Sequence, residues 1–110
     1  MNKTKTIQLR IDADLKKDFE SLCYKSRLNC SNAVTMLIDS CRNKNELPFE
    51  LDCSLDYKRK DSTEESRIIF RIEEDKKRNF AKFCDERGLT MAVVIKSFMV
   101  QCIKKEKILL

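Results

Sequence analysis

The chain repeats itself. Displaced by 61 residues it falls into register without a gap, so that TIQLRIDADLKKDFESLCYKSRL lies over RIIFRIEEDKKRNFAKFCDERGL. Ile7 meets Ile68, Arg10 meets Arg71, Ile11 meets Ile72, Asp14 meets Asp75, Phe19 meets Phe80, Cys23 meets Cys84, Leu28 meets Leu89 and Cys41 meets Cys102. A repeat of this length makes the unit of interpretation a segment of about 40 residues, present twice. One short strand followed by two helices is too little to bury a core alone. Two copies on one chain supply the missing partner.

In the first copy Thr6-Ile7-Gln8-Leu9-Arg10-Ile11 alternates polar and apolar with period two, the pattern of a half-buried strand. Ile7, Leu9 and Ile11 share the core face; Thr6, Gln8 and Arg10 share the outer one. The second copy turns Ile68, Phe70 and Ile72 inward and Arg67, Ile69 and Arg71 outward. Asp12 is placed to cap a helix with Asp14 in its first turn, where the dipole favours an acid. Leu15, Phe19, Leu22 and Cys23 then recur at helical spacing, matched by Phe80, Phe83 and Cys84, with Lys76 standing where Leu15 would be. That substitution predicts less buried surface at the start of the second copy's first helix. Gly88 ends one helix and Thr90 is placed to cap the next. Arg27 occupies the Gly88 position in copy one, at a cost of about 1 kcal/mol if a left-handed backbone is needed there. Asn29 or Ser31 caps the helix that follows. Its apolar face is Ala33, Val34, Leu37, Ile38 and Cys41, matched by Val94, Ile95, Phe98, Met99 and Cys102.

The expected fold is mainly α with a short two-stranded antiparallel β ribbon: residues 1–44 form unit 1, 45–65 an acidic linker, and 66–110 unit 2, closing as an intramolecular pseudo-dimer within one compact domain. Charge follows the same division. The net charge is +5 overall, yet residues 1–44 carry +4, 45–65 carry −4 and 66–110 carry +5. Two basic modules flanking an acidic connector direct any polyanion to the modules. Within the connector, Pro48, the acids and Ser62-Thr63 indicate a surface path, while Leu47, Phe49, Leu51, Leu55 and Tyr57 are apolar enough to pack in part on the helices.

Six cysteines stand at 23, 30, 41, 53, 84 and 102, with no C-x-x-C spacing and no histidine anywhere. Structural zinc prefers closely spaced ligand pairs, so neither metal nor cofactor is expected. Four of the six fall at equivalent repeat positions on apolar faces and read as small buried hydrophobes; Cys30 and Cys53 have no counterpart. No apolar run is long enough to cross a membrane, and MNKTKTIQLR lacks the apolar core of a secretory signal, so a cytoplasmic location is expected.

A strand and two helices with Thr6, Gln8 and Arg10 outward on the strand resemble the ribbon-helix-helix family of Arc- and MetJ-like DNA-binding proteins, over residues 5–42 and 66–103. In layout the tandem is similar to TraY, a relaxosome accessory protein of conjugation. The resemblance implies that the two strands pair antiparallel and enter the major groove of double-stranded DNA. Pairing one copy with the other also satisfies backbone groups that a lone strand leaves open, and it closes a four-helix core. Six side chains then face outward as candidate base contacts: Thr6, Gln8, Arg10, Arg67, Ile69 and Arg71. Arginine suits guanine O6/N7, glutamine suits adenine N6/N7, and a methyl or apolar group suits the thymine methyl. Ile69 departs from the polar residue usual there in the family. Because Thr/Gln/Arg differs from Arg/Ile/Arg, a single chain is expected to read a non-palindromic site.

The resemblance further implies that the start of each second helix grips a phosphate, which maps to Asn29, Ser31 and Asn32 in copy one and to Thr90 in copy two, Met91 adding nothing polar. Lys3 and Lys5 on the N-terminal arm are candidate phosphate contacts. Val93 and Val100, where copy one has Asn32 and Asp39, are read as lying opposite the apolar face of the last helix, a candidate contact between chains bound side by side on DNA. Nothing suggests an enzyme: there is no histidine and no glycine-rich phosphate loop, and the carboxylates cluster at helix starts. The expected function is sequence-selective DNA binding, as a repressor or as an accessory factor of a mobile element. The alternative is an antitoxin or adaptor whose main partner is a protein held by the linker. Exchange of strands between two chains is a third possibility, disfavoured because a linker of roughly 22 residues closes easily.

Overall fold

The structure is a computed structural model and describes residues 4–47, 49 and 65–108. Its elements run β1 (Thr4–Asp12), α1 (Ala13–Lys25), α2 (Cys30–Lys44), β2 (Glu65–Glu73), α3 (Glu74–Glu86) and α4 (Met91–Lys105). Each unit is thus a nine-residue strand that runs straight into a thirteen-residue helix, then a turn and a fifteen-residue helix.

β1 pairs antiparallel with β2 of the same chain. Gln8 stands directly opposite Ile69, its own counterpart in the repeat, so a pseudo-two-fold axis passes between them. Beneath the ribbon Ile7, Leu9, Ile11, Ile68, Phe70 and Ile72 are all buried, joined by the apolar stripes of the four helices. Each helix packs more closely on a helix of the other unit than on its own neighbour, α2 on α3 and α1 on α4. Neither unit therefore holds a core of its own, as their size requires. Phe19 of α1 meets Phe98 of α4 edge to face at 6.1 Å between centroids, an arrangement aromatic quadrupoles favour. Phe49, just beyond α2, packs on the same Phe98 ring at 6.0 Å, and Leu47 is partly buried against the core. The apolar start of the connector thus seats on the helices as expected; Pro48, Leu51, Leu55, Tyr57, Ser62 and Thr63 lie outside the described residues.

The turns follow the repeat. Arg27 and Gly88, equivalent positions, both have left-handed backbone at φ 60° and 68°, and in each unit the next amide closes the helix end, Leu28 N–H to Cys23 O and Leu89 N–H to Cys84 O, both at 2.9 Å. Asn45 and Glu106 repeat the device after α2 and α4 at φ 53° and 56°.

Val100 corrects the expectation made for it. It is 1% exposed, and the seam between α1 and α4 explains why. The displacement that carries Leu15 to Lys76 also carries Asp39 to Val100. In one half Lys76 Nζ reaches both carboxylate oxygens of Asp39, at 2.7 and 2.9 Å. The equivalent positions in the other half, Leu15 of α1 and Val100 of α4, are both fully buried. A polar pair in one seam replaces an apolar pair in its mate, and both members change together. Lys76 thus spends its length on a cross-unit contact at the start of α3, where an apolar contact was missing. Val100 offers no outer surface, and Val93 is half-buried, so the proposed contact between neighbouring chains through these two valines is withdrawn.

Candidate nucleic-acid interface

The outer face of the ribbon carries Thr6, Gln8, Arg10, Arg67, Ile69 and Arg71, every one exposed. The pleat sends alternate residues to opposite faces, so the buried set of Ile7, Leu9, Ile11, Ile68, Phe70 and Ile72 forces these six outward. Among the described residues Ile69, half exposed at 50%, is one of three large apolar side chains in solvent, with Tyr24 and Met36. The register sets Thr6 against Arg71, Gln8 against Ile69 and Arg10 against Arg67. Thr6 and Arg10 lie four residue steps apart along the strand, a span of about 14 Å, comparable to four base steps of about 3.4 Å each.

The backbone shows which kind of pair these are. Arg71 N–H donates to Ser31 Oγ at 2.9 Å, and Thr6 O accepts from Lys77 Nζ at 2.8 Å. Both groups therefore point away from the opposite strand, which makes Thr6/Arg71 a non-hydrogen-bonded pair, the kind with closely approached side chains. Pairs two residues along share that character, so Arg10 and Arg67 are also held close. Like charges directly opposite one another are unfavourable. No acid of the described residues forms an ion pair with Arg10, Arg67 or Arg71.

Asn29 is the N-cap of α2 and its Oδ1 accepts from Asn32 N–H at 2.7 Å. Thr90 does the same for α4, its Oγ1 accepting from Val93 N–H at 3.1 Å. Ser31, a candidate phosphate ligand, is held against the ribbon edge by its bond to Arg71 N–H, which leaves the hydroxyl proton free to donate. This contact sets the start of α2 beside the Thr6/Arg71 end of the ribbon; the two-fold sets the start of α4 beside the Arg10/Arg67 end. Asn29, Asn32 and Thr90 are exposed and Ser31 is half-buried. Lys5 is exposed near the open end of β1, while Lys3 lies outside the described residues. Asp12 and Glu73 hold the N-cap positions of α1 and α3 with extended backbone, but neither side chain makes a capping bond. Lys77 was missed as a ribbon residue; its recurrence with Lys16 at one repeat position was the available signal.

Among the described residues no three His, Cys, Asp or Glu side chains gather as a metal site. Cys23, Cys41, Cys84 and Cys102 are buried in the core, as their positions in the repeat foretold. Burial pushes the Cys41 and Cys84 thiols up to about 11. Cys30, half-buried at the start of α2, is hydrogen-bonded to Cys23, which lowers its thiol pKa and raises that of Cys23. Cys53 lies outside the described residues.

Two strand-helix-helix units sharing one antiparallel ribbon and one core define a tandem ribbon-helix-helix protein. The family model described as RelB antitoxin matches residues 4–61 and again 65–109, one match to each unit. The chain belongs to the RelB antitoxin family. No curated protein and no solved structure gives a significant match. No helix among the described residues is long and apolar enough to cross a membrane.

Proposed function

We propose that the chain binds double-stranded DNA in a sequence-selective way, without catalysis, by laying its β ribbon in the major groove. The observation that carries this reading is the outer face of the ribbon. Three arginines with no acidic partner among the described residues, a glutamine, a threonine and an isoleucine stand in three opposed pairs, chemistry that matches guanine, adenine and thymine edges. The groove, about 12 Å wide, admits a two-stranded ribbon. Asn29, Ser31, Asn32 and Thr90 at the helix starts, with Lys3 and Lys5, supply phosphate contacts, since free N–H groups and side-chain donors at a helix start favour an anion. A cytoplasmic regulator fits this chemistry, either as a repressor or, in the TraY-like layout, as an accessory factor of plasmid transfer.

The test is selection of bound duplexes from a random pool, comparing the wild type with Arg10→Ala/Arg71→Ala. A short enriched motif that vanishes in the double variant is the expected result. Equal, motif-free and salt-sensitive binding by both proteins would refute the ribbon as a reading head.

The family match favours a second reading, in which the chain is an antitoxin whose main partner is a protein toxin held by the linker, residues 45–65. Replacing residues 50–64 by a Gly/Ser linker of equal length separates the two. Unchanged DNA selection by that variant assigns the linker to something other than DNA; loss of selection ties it to the ribbon.

A further inference from the structure

The strands differ in sequence, but what a duplex meets is the two ends of the ribbon, and the register decides what stands at each. One end is Thr6 opposite Arg71; the other is Arg10 opposite Arg67. The pseudo-two-fold exchanges Thr6 with Arg67 and Arg10 with Arg71, so the ends differ at a single position, a threonine hydroxyl at one and a second guanidinium at the other. The centre is asymmetric as well, with Gln8 facing Ile69.

We infer that the ribbon is directional: it binds its duplex in one orientation, with the Arg10/Arg67 end on two neighbouring guanines and the Thr6/Arg71 end on a half-site that carries one. This rests on the DNA reading proposed above and specifies its substrate. Arg10 and Arg67 are exposed, held close in a non-hydrogen-bonded pair, and form no ion pair with an acid among the described residues. Folding keeps two like charges face to face where a single threonine would remove the repulsion, as at the other end. Two guanines take one guanidinium each, because the O6/N7 edge accepts a bidentate pair from a single arginine and repels a carboxylate. At the centre Gln8 reads an adenine and Ile69 covers the thymine methyl of a neighbouring pair, so the middle of the site has a direction too. Lys77, tied to Thr6 O at 2.8 Å, adds a cation at the edge of the arginine-poor end.

Two variants on exposed positions make the face symmetric in opposite senses. Arg67→Thr/Ile69→Gln gives both ends the threonine–arginine pair and both central positions glutamine. Thr6→Arg/Gln8→Ile gives both ends two arginines and both central positions isoleucine. Duplex selection is run on the wild type and on both variants, with thermal unfolding of each to confirm the fold. The expected outcome is a directional motif for the wild type and two different palindromes for the variants. The second palindrome repeats the guanine-rich half and the first repeats the other half. In the wild type, replacing one guanine at the Arg10/Arg67 end lowers affinity on the order of tenfold. A palindromic wild-type motif, or one motif shared by all three proteins, overturns directionality while leaving DNA reading in place. Absence of any enriched motif in all three overturns both.

Discussion

Arg27 and Gly88 hold the same place in the two units, and both adopt a left-handed backbone at φ 60° and 68°. No heavy atom lies within 4 Å of where a Gly88 Cβ would stand, so an added side chain there meets only the intrinsic cost of the conformation. Arg27→Gly is therefore expected to stabilise the protein, and Gly88→Ala to destabilise it, each by about 1 kcal/mol, measured as shifts in the midpoint of urea unfolding. This site was legible in the sequence because glycine announces the conformation in one copy and the repeat transfers it to the other. The thiols give a second residue-scale expectation. Burial raises Cys41 and Cys84 from 9.0 to about 11, so folding favours their neutral form. The stability this contributes is complete below pH 9 and is lost as pH rises toward about 11. Unfolding midpoints followed across that window should fall more steeply in the wild type than in Cys41→Ala/Cys84→Ala. At neutral pH Cys30, half-buried and with its pKa lowered, should alkylate before Cys41 and Cys84, as peptide mapping by mass spectrometry would show.

At the scale of elements, the two seams between units are built differently. Lys76 and Asp39 form a half-exposed ion pair between α3 and α2, with 26% and 41% of their side chains accessible. Their counterparts Leu15 and Val100 are buried. A pair this exposed contributes about 0–1 kcal/mol, less than a well-packed apolar contact of the same size. Asp39→Val/Lys76→Leu, which copies the other seam, is expected to stabilise by about 1–2 kcal/mol. Each single substitution strands one partner, so the two effects should be non-additive in a double-mutant cycle. An additive cycle would show that the pair is not coupled. The type and order of the elements were legible from periodicity, since alternation along Thr6–Ile11 marks a strand and the stripe from Leu15 onward a helix, although β1 extends beyond the alternating stretch, from Thr4 to Asp12. Val100 was not. A helical wheel shows which face of α4 is apolar but not which neighbour meets its margin. Asp39 at the equivalent position pointed to solvent, where in fact it faces a lysine. The concerted change of Leu15 to Lys76 and of Asp39 to Val100 carries that information, but only once the pairing of α1 with α4 and α2 with α3 is known.

At the scale of the whole molecule, the linker lets one chain supply both strands of a ribbon and both halves of a core. The six outward residues were legible from alternation alone. Their partition into two unlike ends was not, because it depends on the register that sets Arg10 against Arg67 and Thr6 against Arg71. Phosphate contacts belong to this scale too, because binding that neutralises fewer phosphates depends less on salt. Lys5→Ala is expected to reduce the slope of log affinity against log salt by about 1 while leaving the selected motif unchanged. The most direct measurement of the central claim is an NMR titration of the isotope-labelled chain with a selected duplex, following backbone and arginine side-chain signals. Shifts confined to Thr6, Gln8, Arg10, Arg67, Ile69, Arg71 and the starts of α2 and α4 are the expected result. Shifts that spare the ribbon and gather on another face would contradict it.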